Sequence, residues 1–222
     1  IADAIDTPQN NRSLAASLHN LSHLQFDIGN LSEALIYCRE SLTIVKKLAE
    51  QLDTPQNYED LRQSLFHISK IHENLNNLSE ALNFGLESYA IAKKIAEQID
   101  TPESHQNIAF NLNHLSRIQA SLDNLPGALL LRMESLSIQK KLEERLGDLE
   151  SKKDISRSLY AIYCSHRDIG NLSEALTFGY ECLAIEKKVA ELSETPECQR
   201  DITFTLNDLS YIHVNLKNLP EA

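Results

Sequence analysis

The pattern Asn-Leu-x-x-Ala occurs five times at one fixed interval: Asn30, Asn77, Asn124, Asn171 and Asn218 lie 47 residues apart. Four equal spacings leave no room for an insertion or deletion between them. A period between 20 and 50 residues is that of a stacked-repeat chain, in which each unit buries its apolar face against the next. The reading is one array over residues 1–222, with units opening at the five asparagines and a partial unit over 1–29.

Composition narrows the class. The chain is 42% hydrophobic and 24% charged, with only 6 Gly and 6 Pro, which is too apolar for a disordered segment. No apolar run approaches the roughly 18 residues of a membrane span, and the first residues lack a basic-then-apolar leader pattern. The expectation is a cytoplasmic protein without a membrane partner. A formal charge of -11 with no offsetting basic stripe argues against nucleic acid as partner. The pairs Lys46/Lys47, Lys93/Lys94, Lys140/Lys141 and Lys187/Lys188 recur once per unit, each with a Glu four residues after the first Lys. They read as a solvated helix face. Cys38, Cys164, Cys182 and Cys198 do not follow the repeat, so reduced thiols are expected rather than disulfides. The frame opens near the close of one unit and stops just inside a helix at Glu221-Ala222. A larger parent protein is therefore expected, as is end-to-end self-association through uncapped terminal units.

Within the unit 77–123, apolar or small residues fall at Leu78, Ala81, Leu82, Phe84, Ser88, Tyr89, Ile91, Ile95, Ala96 and Ile99. Steps of three and four predict one amphipathic helix, with Asn77 as its cap. Thr101-Pro102 then reads as a second start, Thr capping and Pro in the first turn. The same pair stands at Thr7-Pro8, Thr54-Pro55 and Thr195-Pro196. Ile108, Leu112, Leu115, Ile118 and Leu122 continue the helical spacing to the next Asn. No stretch alternates with period two, so helix pairs and no sheet are predicted.

The frame Leu18-x2-Leu21-Ser22-x2-Gln25, followed by Ala34 and Ser41, repeats as Leu65, Ile68, Ser69, His72, Ala81, Ser88 and as Leu112, Leu115, Ser116, Gln119, Ala128, Ser135. It resembles the tetratricopeptide repeat, with Ser in the place of the family's small Gly and Gln or His in the place of its Tyr. The resemblance spans the chain. It implies an all-α, right-handed superhelical solenoid of antiparallel helix pairs whose first helices line the inner surface. Lys46, Lys93, Lys140 and Lys187 stand where the family's helix-ending Pro would fall, so the second helix runs on. That accounts for a unit longer than the usual 34 residues, and long-repeat relatives such as kinesin light chains are the nearest type. HEAT and armadillo repeats have comparable periods but lack the Ala and small-residue spacing. Ala34, Ala81, Ala128 and Ala175 are expected at close helix contacts, where Ala128→Leu would lower the melting temperature.

Some positions stay constant from unit to unit and others change. The changing sets on the first helix are His19, Phe66, Asn113, Tyr160, Asn207; then Asn20, His67, His114, Ala161, Asp208; then His23, Lys70, Arg117, Cys164, Tyr211. Phe110 and Phe204 lie nearby. The resemblance places these sets on a concave strip that would receive a partner protein or peptide, and exposed aromatics there point the same way. Neutral drift of a surface would produce the same variation. Lys70, Asn113 and Arg117 are reminiscent of the family's carboxylate clamp, but its paired asparagines are not reproduced and the function is not carried over. No metal site, cofactor or catalytic centre is expected. His67 and His114 sit on separate helices too far apart to share an ion, and no phosphate loop, nucleophile elbow or His-Glu-x-x-His helix is present. His72, His166 and His213 are expected in the interior. Two roles remain open: a non-catalytic interaction scaffold, or the sensor arm of a larger multidomain enzyme or switch. Around Gly147-Asp148 and Ser165 the repeat departs from its pattern, which reads either as drift or as a local bend or contact surface near Tyr160, Tyr163, Cys164 and Arg167.

Overall fold

A computed structural model describes residues 7–216. They form α1 (Pro8–Asp27), α2 (Leu31–Gln51), α3 (Pro55–Asn74), α4 (Leu78–Gln98), α5 (Pro102–Ser121), α6 (Leu125–Leu146), α7 (Leu149–Asp168), α8 (Leu172–Leu192) and α9 (Pro196–Asn215), with no strand among the described residues. The expected fifth start at Asn218 lies outside them. The architecture is the expected all-α repeat of antiparallel helix pairs. The chain divides into two compact units, 1–122 and 123–222. In the first, α1 to α5 pack each on the next; in the second, α6 to α9 do the same.

The two kinds of helix start differ physically. Thr7, Thr54, Thr101 and Thr195 hold extended backbone, and each hydroxyl accepts from the N–H three residues on. Asn30, Asn77 and Asn171 sit at ψ of 63, 65 and 68° and make no side-chain cap, contrary to the expectation for Asn77; only Asn124 does, accepting from Gly127 N–H. Their constancy has another origin. Asn30, Asn77 and Asn171 donate their N–H groups back to Gln25, His72 and His166, and their carbonyls accept from Ala34, Ala81 and Ala175. Each therefore closes one helix in a Schellman turn and opens the next. The residue before it is left-handed: Gly29 at φ +85°, Asn76 at +58°, Asp123 at +61° and Gly170 at +82°, all types that tolerate that region.

Small side chains lock the pairs through carbonyls. Ser22 Oγ–H donates to the Ala34 carbonyl (2.7 Å) and Ser69 to that of Ala81 (2.6 Å). Ser41 and Ser88 donate to Ala15 and Arg62 carbonyls, and the Cys182 thiol does so to Ser156. The four repeat alanines are all but sealed, at 0–1% exposure. A Cβ on Gly85 would lie 2.9 Å from Leu115 Cδ2, and one on Gly179 would lie 2.6 Å from Leu209 Cδ2, so no larger residue enters without displacing a packed leucine. The Lys-Lys face is exposed apart from Lys94, which lies over the Tyr58 ring. Its ion pairs reach beyond its own helix, Lys140 to Glu181 on α8 and Lys94 to Asp53 in the loop between α2 and α3, rather than to the Glu one turn on.

The irregular segment has a local cause. Gly147 ends α6 in the left-handed region, and Asp148 caps α7 by accepting from Ser151 N–H (2.7 Å). Arg132 occupies the position held by Cys38, Gly85 and Gly179 in other units, and Ser165 faces it where Ile71, Ile118 and Ile212 stand. The guanidinium donates to the Ala161 carbonyl (2.9 Å) and to the Ser165 hydroxyl. A larger cationic residue on one helix is matched by a smaller polar one opposite.

Candidate functional site

The changing positions separate by depth. In the third set His23 and Arg117 are exposed, Lys70 and Cys164 are half-buried, and Tyr211 is 63% exposed. His19, Phe66, Asn113 and Tyr160 are half-buried, Asn207 is exposed, and Phe110 is 53% exposed. His67 and His114 are buried at 2% and 3%. Their place on a partner-facing strip is thus corrected: both rings are spent inside the fold.

The reason is a serine one unit back. Because Ser22 donates to a carbonyl, its oxygen is left to accept, and His67 Nε2–H supplies the proton (3.0 Å). His114 does the same to Ser69 at 2.7 Å. The neutral Nε2–H tautomer follows from this arrangement. Burial is the main cause that lowers both imidazoles to about 3, with neighbouring cations and imidazoles adding to it. His114 Nδ1 lies 3.6 Å from Glu73 Oε2, yet this is no ion pair: Arg117 donates to that nitrogen (3.2 Å) and takes Glu73 as its own partner at 2.8 Å.

In the first unit the first helices α1, α3 and α5 meet through these side chains. His23 stacks on His67 at 3.7 Å, and His19 and His23 bring their Nε2 atoms to 3.1 Å, one N–H donating to the other ring. Burial, then His23, holds His19 at about 4; burial, then Lys70, lowers His23. Lys70 Nζ lies 5.3 Å above the Phe26 ring, and Phe66 packs at 4.8 Å against His114. No group of three His, Cys, Asp or Glu is placed to hold a metal ion among the described residues.

In the second unit Tyr160 donates to Asp208 Oδ2 (2.8 Å), Arg167 approaches the same carboxylate at 3.8 Å, and its guanidinium lies 5.7 Å from the Tyr163 ring. Burial and the Asp208 carboxylate raise the Tyr160 hydroxyl, and burial raises the Cys164 thiol, so neither is a nucleophile at neutral pH. His72 and His166 are buried and stack on Phe84 and Phe178, and His213 meets the Tyr180 hydroxyl. Sequence reasoning passed over Phe26, Glu73 and Arg167 as one set. With Ala120 and Val214 they form a fourth series that changes from unit to unit, three residues beyond the third, and the same comparison would have found it.

Residues 14–53 match the tetratricopeptide repeat family model. No curated protein sequence matches the chain. Among solved structures, BtubC (BKLC) from P. vanneervenii superposes with a TM-score of 0.71 at 18% identity, over 99% of this chain and 79% of that one. A protein from Podosopora anserina described as a kinesin light chain with nearly identical TPR-like repeats gives 0.66 at 19%, over 97% and 91%. A signal-transduction ATPase with numerous domains from Pyrococcus horikoshii, carrying a tetratricopeptide repeat sensor, gives 0.65 at 13%, over 96% of this chain but 31% of that one. No helix among the described residues is long and apolar enough to cross a membrane. The fold is a tetratricopeptide-like helical repeat.

Proposed function

We propose that the chain is a protein-interaction module without catalytic activity of its own, acting in the cytoplasm and receiving a partner peptide or helix on its first-helix face. One observation carries this. The repeating alanines are sealed between helices, whereas His23, Lys70, Arg117, Cys164 and Tyr211, equivalent positions that all differ, reach the surface. Packing does not dictate a residue there, and aromatic rings exposed beside polar groups make a binding surface. The 47-residue period and the kinesin light chain among its structural neighbours favour the long-repeat subgroup. The test is Asn113→Glu with Arg117→Ala, with helix content and melting checked. Affinity for a protein partner captured by the wild-type chain should fall at least about tenfold, the usual cost of losing interface anchors. Unchanged affinity would move the site elsewhere.

A second reading has one observation in its favour. The Pyrococcus horikoshii neighbour carries its repeats as the sensor of a multidomain ATPase, and this array would serve as such an arm if its parent gene encodes an NTPase, protease or kinase segment beside it.

A further inference from the structure

Successive first helices are bridged differently in the two units. In the first, Arg12 on α1 and Asp60 on α3 join at 2.8 Å. Lys153 on α7 and Asp201 on α9 hold the equivalent positions in the second. There they do not meet: half-buried Lys153 has no carboxylate in ion-pair reach among the described residues. Both line one cleft between α7, α8 and α9, with Glu186 in its wall. Glu186 is 7% exposed. Its Oε1 accepts from the Thr205 hydroxyl at 3.0 Å, with Cys182 Sγ 3.3 Å away, while Oε2 has no partner among the described residues. Val45 and Ala92 are buried at the same position in the first unit, so stacking does not call for an acid there. A carboxylate held out of water without a donor is unfavourable, and its presence in a native fold points to something that pairs with it.

We propose that this cleft binds a small primary amine, whose ammonium group donates to Glu186 and Asp201. The charges favour that class of ligand. Arg157, also in the wall, is engaged by Glu150 at 3.1 Å and Asp154 at 2.8 Å. That leaves Lys153 as one cation against the carboxyl groups of Glu186, Glu197 and Asp201. Burial raises the Glu186 carboxyl and the Asp201 charge adds to it; an ammonium set between the two relieves both. No three acidic groups among the described residues are placed to hold a metal ion instead. Size excludes a peptide. About 40 Å³ is open to the centres of water-sized spheres, where one water needs roughly 10–15 Å³, so a head of about three non-hydrogen atoms fits. None of the cleft residues belongs to the docking strip, and the two readings stand or fall separately.

The experiment titrates the isotope-labelled full chain with ethylammonium chloride at constant ionic strength and about pH 7, followed by amide NMR. Resonances of Cys182, Glu186, Cys198 and Asp201 should shift along one saturable curve, with a Kd of about 1–10 mM for so small a ligand. Tetramethylammonium has the same charge and no N–H, and it should give no saturable shift. Glu186→Gln keeps an oxygen that accepts from Thr205, and it should weaken binding at least about fivefold. Asp201 is exposed, and Asp201→Asn should weaken binding about twofold or more. Lys153→Met should tighten it about twofold or more by removing a competing ammonium. Melting curves confirm that the variants fold, and the exposed Asp201 supplies a second reading should Glu186→Gln not. Ethylammonium without a saturable shift overturns the proposal, as does unchanged binding in the Glu186 and Asp201 variants. Binding that emerges only after Lys153→Met gives the carboxyl group to Lys153 itself and overturns it too. Equal saturable shifts from tetramethylammonium reduce the cleft to a general cation site and also overturn it.

Discussion

His67 and His114 are paired with a serine one unit earlier, a bond that fixes their tautomer, while burial sets their titration. A sealed pocket disfavours the charged ring, so burial keeps each imidazole neutral. The folded protein holds both rings at about 3 and His19 at about 4, against 6.5 for the unexposed-to-structure value of the unfolded chain. Between those values the unfolded state binds more protons than the folded one. Stability is therefore complete above about pH 6.5 and is lost as pH falls toward 3, at up to about 1.4 kcal/mol per pH unit for each ring. Urea denaturation at about pH 7 and about pH 5, a window above most carboxylate titration, should show the loss. His114→Gln can still donate to Ser69 but does not titrate, and it should flatten the slope. Wild-type stability that is level across the window would contradict this account. None of this was legible from residue types alone. Two histidines in equivalent, changing positions look like surface variation, and only the direction of the Ser22 and Ser69 hydroxyls shows that they are internal.

At the scale of the helix, most of the plan could be read in advance. The Thr-Pro starts, the Asn-Leu openings and the apolar steps located the described helices apart from α7, whose start after Asp148 lacks the Thr-Pro signal, because caps and helical periodicity are local properties of the chain. What the turn asparagines do was not legible in the same way. Asn30, Asn77 and Asn171 act through their main chains, which any residue possesses, and the side chain shows only that the site tolerates a short polar group. The exchange at Arg132 and Ser165 was also hidden, since a lone Ser in an apolar series reads as drift until its neighbour across the helix pair is known. The pair makes a double-mutant test. Ser165→Ile should cost about 1–3 kcal/mol by overpacking against Arg132 and removing its hydroxyl partner. Adding Arg132→Gly restores the arrangement of Gly85 with Ile118 and of Gly179 with Ile212, and should recover most of the loss in chemical denaturation. Costs that simply add would mean that the two residues do not share a site.

For the molecule as a whole, the contrast between the sealed repeat alanines and the changing positions that reach solvent on the first helices is the basis for a binding role. It was legible in outline because five copies of one unit serve as their own comparison. Depth was not legible, so the strip predicted from the changing sets loses His67 and His114 to the interior and gains Phe26, Glu73 and Arg167. Apolar groups on α1 show the same limit: Leu14, Leu21 and Leu24 are exposed where their equivalents Leu61, Ile68 and Ile71 are buried. The most direct test replaces Phe110 or Tyr211, both more than half exposed on first helices, with the photo-crosslinking analogue p-benzoylphenylalanine. A third variant carries it at Glu87, exposed on the second helix α4. After irradiation in the cell of origin and mass spectrometry, a partner protein should be joined at position 110 or at position 211, and none at 87. Adducts at 87 with none at 110 or 211 would contradict the claim that the first-helix face is where this protein binds.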